Sequence, residues 1–256
     1  MNFETIKFGI NGGIATLILN RPQVMNALNG RMRAEITRAL TTLPPEVRCV
    51  VITGSGKAFC SGQDLTDAGA ALDLEATLRD EYEPMLHAVR DCPAPVIAAV
   101  NGVAAGAGAN LALIADVVIA AESASFIQAF SRIGLVPDAG GTWAVPRAIG
   151  AARAMGMMLF AEPVPARLAA DWGLIWQALP DGEFAEGVAT RALQLAEGPT
   201  GAYLAIREAV AASLDNDLDE QLKLEARLQG RAGQSNDFRE GVTAFLEKRK
   251  PRFSGR

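Results

Sequence analysis

Across 256 residues there is one histidine, His87, and only three cysteines, Cys49, Cys60 and Cys92. The cysteines show no C-x-x-C spacing and their number is odd. Neither a disulfide framework nor a zinc site is expected, and the thiols read as free in a reducing compartment. His87 falls on a predicted amphipathic helix as a surface or core-edge residue, and without a G-x-S-x-G elbow a Ser-His-Asp triad has no support. Positive charge is also scarce: 24 Lys and Arg stand against 29 Asp and Glu, a net −5. That balance argues against nucleic acid or an anionic membrane surface as the main partner. No run approaches the roughly 18 uninterrupted apolar residues of a membrane span, and the start MNFETIKFGI has no basic region followed by a long apolar one. A soluble, cytoplasmic protein is expected.

What is present is an ordinary globular composition, 50% hydrophobic and 21% charged. Segments 7–10 and 14–19 flank Asn11-Gly12-Gly13 and predict a hairpin. Asn29 is placed to cap a helix over 31–43, stopped by Pro44-Pro45. A buried strand is expected at 49–53, a loop at 54–62, a helix at 72–90, and strands at 95–100 and 116–121. Strands alternating with helices imply parallel pairing and an α/β fold. Beyond about residue 143 helices dominate, predicted at 147–160, 165–172, 182–197, 201–214, 218–231 and 237–248. The domain reading is a core over 1–195 and a C-terminal helical module over 196–256, with no internal sequence repeat.

Two phosphate-loop look-alikes fail. "TGSGKAF" has Val51 where the first glycine of a P-loop belongs and Ala58 where a hydroxyl belongs, and "GAGANL" has Leu111 at the third-glycine position of a dinucleotide fingerprint. What survives is a pair of strand-to-helix loops built of small residues, "GKAFCSGQDL" and "NGVAAGAGANLAL". Such loops let backbone approach a ligand, and helix starts expose amide hydrogens, so two N–H donors could converge on one oxygen; close packing of helix on sheet is the alternative. In "SRIGLVPDAGGTW" the carboxylate of Asp138 reads either as a helix cap or Asx-turn ahead of Gly140–Thr142, or as a base. Its neighbours Leu135 and Val136 are expected to raise its pKa. Asp64 and Asp116 look like turn or cap residues, and Lys248, Arg249, Lys250 and Arg252 like a solvated helix end.

Taken together, "NRPQVMNALN", "GKAFCSGQDL", "PVIAAVNGVAAGAGANLAL" and "GLVPDAGGTW" resemble the crotonase superfamily of enoyl-CoA hydratases and isomerases, in order and spacing and over essentially the full length. The resemblance implies a crotonase-type ββα spiral core with a C-terminal helical trimerisation module. It implies an oxyanion hole from the backbone N–H groups of Gln63 and Ala107, the latter where glycine is common, so that a negative φ is required there. The two glutamates that handle water in typical hydratases are replaced by Asn110 and Phe130, whereas Asp138 stands where the family's isomerases carry their single acid. Substrate contacts are implied for Met25, Ala58, Ser61, Asp64, Leu65, Phe130 and Trp143, and for Lys250 at the phosphates of coenzyme A. No metal or other cofactor is implied, since coenzyme A arrives as part of an acyl-CoA thioester substrate. Homotrimers or dimers of trimers are implied as the assembly. "NGVAAGAGANLAL", "DWGLIWQ" and "DFREGVTAFLEKRKPRF" look closer still to the ring-1,2-epoxyphenylacetyl-CoA isomerases of bacterial phenylacetate breakdown. A 3-enoyl to 2-enoyl isomerase, a hydratase-like enzyme of other acyl specificity and a non-catalytic CoA-ester binder are the alternatives.

Overall fold

Strands β1 (Ile6–Asn11) and β2 (Ile14–Leu19) form the expected antiparallel hairpin, turning through Gly12 and Gly13 at positive φ. Residues 2–67 and 73–255 are described by the computed structural model. Asn29 accepts the Met32 N–H and starts the helix Gly30–Thr41. That helix ends two residues sooner than expected because Leu43 precedes Pro44, and a residue before proline is driven out of the helical region. Between hairpin and helix, Asn26 is fully buried. Its amide donates to the carbonyls of Ser55, Ala58 and Phe59 at 2.9, 2.9 and 3.2 Å and so fixes the bend that comes after the next strand.

From Cys49 one structural unit is repeated three times. β3 (Cys49–Gly54) bends into β4 (Ala58–Cys60), β5 (Val96–Val100) into β6 (Val103–Ala105), and β7 (Val117–Ala121) into β8 (Ser125–Ile127). The first member of each pair is a parallel neighbour in one sheet, and the second member a parallel neighbour in another. With β9 (Val164–Pro165) and β10 (Gln177–Leu179), the sheet orders are β1-β2-β3-β5-β7-β10 and β4-β6-β8-β9. The expected α/β spiral of ββα units is therefore present. The stretch 54–62, expected as loop, contains β4; strands of three residues are too short to show alternation in sequence. The helix expected at 72–90 runs as Leu74–Thr77, a π-helical turn Leu78–Tyr82, and Glu83–Arg90, and residue 72 lies outside the described residues.

The strands are apolar on both faces because both are covered. Cys49, Val51, Ile97, Ala99 and Ile119 pack against Val188, Ala192 and Ala196 of the helix Asp181–Ala196. The opposite face, with Val50, Ile52, Ala98 and Val100, forms the main core with Met32, Ile36 and Phe59. The helix expected at 147–160 begins earlier, as Gly141–Phe160, with a break at Gly150 (φ 77°). The helices Ala166–Asp171, Thr200–Ala212, Leu218–Ala232 and Asn236–Leu246 fall close to their expected places. Two arginines tie the last helices to the sheet. Arg48 donates to Thr200 Oγ1 and to the carbonyls of Gly198 and Phe253, and Arg207 pairs with Asp116 and donates to the carbonyls of Cys92 and Ala94. Among the described residues no helix is long and apolar enough to cross a membrane.

Candidate active site

In parallel sheets the carboxyl ends of neighbouring strands lie side by side, and loops leaving them converge. β4, β6 and β8 are such neighbours, and each leads into a piece of the candidate site: Ser61-Gly62-Gln63 after β4, Gly106-Ala107 after β6, and the segment reaching Asp138 after β8.

The first candidate donor, the Gln63 N–H, is oriented by a single parallel bridge between Leu28 and Gln63. Leu28 N–H donates to the Gly62 carbonyl (2.8 Å) and Asp64 N–H to the Leu28 carbonyl (3.0 Å). In that pattern the residues flanking Gln63 make the bonds, and the N–H of Gln63 points away from Leu28. The second candidate donor is Ala107, first residue of the helix Ala107–Leu113. Its N–H is one of those a helix start leaves without an intrahelical partner. Gly106 takes the positive φ (53°) and Ala107 does not, which meets the requirement set by a side chain there. The loops touch: a Cβ on Gly62 (φ 97°) would sit 2.9 Å from the Ala105 carbonyl oxygen and 3.5 Å from Ala107 N. Close packing is present as well, since a Cβ on Gly108 would lie 2.5 Å from the Cys60 carbonyl. The small residues serve both ends.

Gln63, Ala107 and Asp138 line one cavity of about 280 Å³, together with Ser61, Asp64, Leu65 and Phe130. Asp138 also lines a second cavity, of about 440 Å³, walled by Leu78, Tyr82, Leu86, Ile114 and Trp143. One carboxylate oxygen of Asp138 is buried and has no hydrogen-bond partner among the described residues. Burial pushes its pKa up to about 6. The raised pKa is as expected, and of the two neighbours named for it Leu135 lines the first cavity with Asp138, whereas Val136 is 73% exposed and lines neither. The cap reading also fails. The helix starts at Gly141 behind Gly140, with no side-chain cap, and it is the Asp138 backbone carbonyl that accepts the Gly141 N–H at 2.8 Å.

Asp64 is a contrasting acid. It pairs with Arg21 at 2.8 Å and accepts both the N–H and the hydroxyl of Thr66, and the Thr66 bonds, foremost the hydroxyl's, hold its pKa below the usual range. Asp116 accepts the Val96 N–H and pairs with Arg207. Trp143 is 44% exposed under the Arg147 guanidinium. Ala58 is buried in β4 with its carbonyl on Asn26, and Met25 is exposed beside the first loop, its carbonyl accepting the Ser61 N–H; neither lines either cavity. Lys250 pairs with Glu197 at 3.0 Å, and Arg249 with Glu240 and Glu247, and none of these residues is among those lining the two cavities.

Three residues escaped sequence reasoning. Tyr82, one of only two tyrosines, donates its hydroxyl to Gln63 Oε1 at 2.7 Å and sits under buried Arg33. Its rarity was the one available signal. Gln128 is fully buried against Asn110 and carries no spacing or motif that marks it. Arg33 is 1% exposed inside a helix whose pattern reads as merely amphipathic.

Comparison with known proteins accords with this geometry. The model of the family described as enoyl-CoA hydratase/isomerase matches residues 9–256. A Rhodobacter capsulatus protein named "Probable enoyl-CoA hydratase" is 61% identical with full coverage of both chains. The 1,2-epoxyphenylacetyl-CoA isomerase of Escherichia coli K12 is 45% identical over 99% of each chain. Among solved structures, the enoyl-CoA hydratase of Bacillus anthracis superposes with a TM-score of 0.92 at 32% identity, covering 99% of this chain and 100% of that one.

Proposed function

The chain belongs to the enoyl-CoA hydratase/isomerase family, and on that premise we propose that it is an acyl-CoA isomerase with one base, Asp138. The thioester oxygen is held between the N–H groups of Gln63 and Ala107, where donors are worth about 3–4 kcal/mol each to a developing enolate. Asp138 takes a proton from the carbon beside the thioester and the charge moves onto that oxygen. The same carboxyl then returns the proton two carbons further along, converting a 3-enoyl to a 2-enoyl thioester. Proton transfer next to a thioester calls for neither an electron carrier nor a metal, and coenzyme A enters with the substrate.

The observation that carries this reading is the carboxylate oxygen at the cavity, the one buried side-chain oxygen or nitrogen among the described residues that lacks a hydrogen-bond partner. Asn110 is fully engaged in amide hydrogen bonds, and Phe130 presents a ring. Neither can activate water as a carboxylate does. Ring-1,2-epoxyphenylacetyl-CoA, rearranged to an oxepin thioester, is the preferred substrate, with the E. coli relative as support. Hydration is the second reading, favoured by the name of the 61% identical relative. Purified protein incubated with 3-enoyl-CoA, 2-enoyl-CoA and the epoxide, with product identification, separates them. Isomerised products support the proposal, 3-hydroxyacyl-CoA alone replaces it with hydration, and three unchanged substrates leave a binder. Self-association as a homotrimer or dimer of trimers is part of the proposal, supported by the exposed Phe245 and Leu246 and testable by analytical ultracentrifugation.

A further inference from the structure

Behind Asp138 lies a pair of buried amides that the proposed chemistry does not use. Asn110 is 2% exposed and Gln128 0%. Gln128 Nε2 donates to Asn110 Oδ1 at 2.7 Å, and Asn110 Nδ2 donates to the Asp138 backbone carbonyl at 2.8 Å, with a longer contact to Gln128 Oε1 at 3.4 Å. The chain beyond Asp138 turns through two consecutive left-handed residues, Ala139 (φ 48°) and Gly140 (φ 80°), and closes with the Gly141 N–H on the same carbonyl. For alanine that conformation is strained, and such strain persists only where the surroundings hold it. The amide pair meets the turn at the Asp138 carbonyl. A Cβ on Gly141 would collide with Asn110 Nδ2, so the turn rests directly on that side chain.

We infer that Asn110, oriented by Gln128, is a positioning residue for the base: it grips the Asp138 main chain so that the carboxyl stays between the two cavities. The inference rests on Asp138 being the base. At the position where a hydratase glutamate would stand, the side chain has become a clamp. Its effect reaches the reaction through where Asp138 sits and how dry it stays. The titratable and charged groups that line the cavities with Asp138 are Tyr82, Glu83, His87 and Arg90 on one side, and Asp64, Asp67 and Arg132 on the other. Substitutions at Asn110 and Gln128 leave all of them in place.

The test compares Asn110→Ala, Gln128→Ala and their double variant with wild type and with Asp138→Asn, measuring kcat, KM, melting temperature and the pH dependence of kcat/KM on 3-enoyl-CoA. Displacing a reacting group by about 1 Å costs on the order of 100-fold in rate. The expected result for Asn110→Ala is a kcat loss of that order with KM little changed, and an acid limb moved downward as water reaches the carboxyl. The double variant should be no worse than Asn110→Ala alone, because Gln128 acts through Asn110. If Asn110→Ala does not fold, Asn110→Ser serves, since it keeps a polar group for Gln128 but is too short to reach the Asp138 carbonyl. A folded variant with wild-type kcat and pH profile, lowered only in melting temperature, overturns the inference. An active Asp138→Asn overturns instead the assignment of the base.

Discussion

Asp64 and Asp138 line the same cavity and are built by opposite rules. Asp64 is paired with Arg21 and accepts two bonds from Thr66, which keeps it ionised and fixed. Asp138 has its main chain gripped twice, by Asn110 and by Gly141, while a carboxylate oxygen is left without a partner among the described residues. A paired acid is a poor proton carrier, because its proton must compete with a cation and with donors. An unpaired, shielded acid with its pKa near neutrality can both take and return one. On the proposed reading, two aspartates in one cavity divide between holding the Gln63 loop and moving the proton.

The sharpest way to break that contrast is to neutralise each acid in turn. Asp138→Asn should lower turnover by roughly 1,000-fold while acyl-CoA affinity, measured by calorimetry, changes little. Asp64→Ala strands Arg21 in a mostly buried position and should cost about 3 kcal/mol of stability in denaturant unfolding, with a smaller loss of rate as the Gln63 loop slackens. If Asp64→Ala instead abolished turnover at unchanged stability, the two roles would be exchanged.

Stability against pH separates the acids further. Asp138 holds its proton more tightly folded than unfolded, so its contribution to stability is full at low pH and is lost as pH rises through about 6. Asp138→Asn escapes that loss and should be the more stable protein at pH 8, by on the order of 2 kcal/mol, a gain that disappears below about pH 4. Asp64 has the opposite sign: what it adds is present above the ordinary carboxylate range and lost on acidification. The gentlest test is the wild-type profile. kcat/KM should fall about tenfold for each pH unit below about 6, as Asp138 takes up its proton; a profile flat down to pH 5 would show that some other group is the base.

Much of the molecule is legible in its residues alone. The hairpin around Gly12 and Gly13, the cap at Asn29 and the apolar strands VIAAV and VVIAA are consequences of turn chemistry, capping and burial on both faces. β4, β6 and β8 were invisible strand by strand, since three residues cannot display a period. In the candidate site, the resemblance picked out Gln63, Ala107 and Asp138, and the fold brings all three to one cavity. Of the two neighbours expected to shield Asp138, Leu135 lines its cavity and Val136 points elsewhere, because proximity in sequence does not fix burial. A cap at Asp138 was a fair expectation from Asp-Ala-Gly-Gly, but the left-handed Ala139 turns its carbonyl, and not its carboxylate, toward Gly141.

The sequence by itself determined which groups are available: two loops of small residues able to present backbone N–H, and carboxylates such as Asp64 and Asp138 close to them in the chain. Only the tertiary structure decided which acid is left unpaired. Pairing and burial depend on partners far along the chain. Arg21 reaches Asp64 across 43 positions, and Asn110 reaches the Asp138 carbonyl across 28. A carboxylate's pKa is set by the groups that meet it in space.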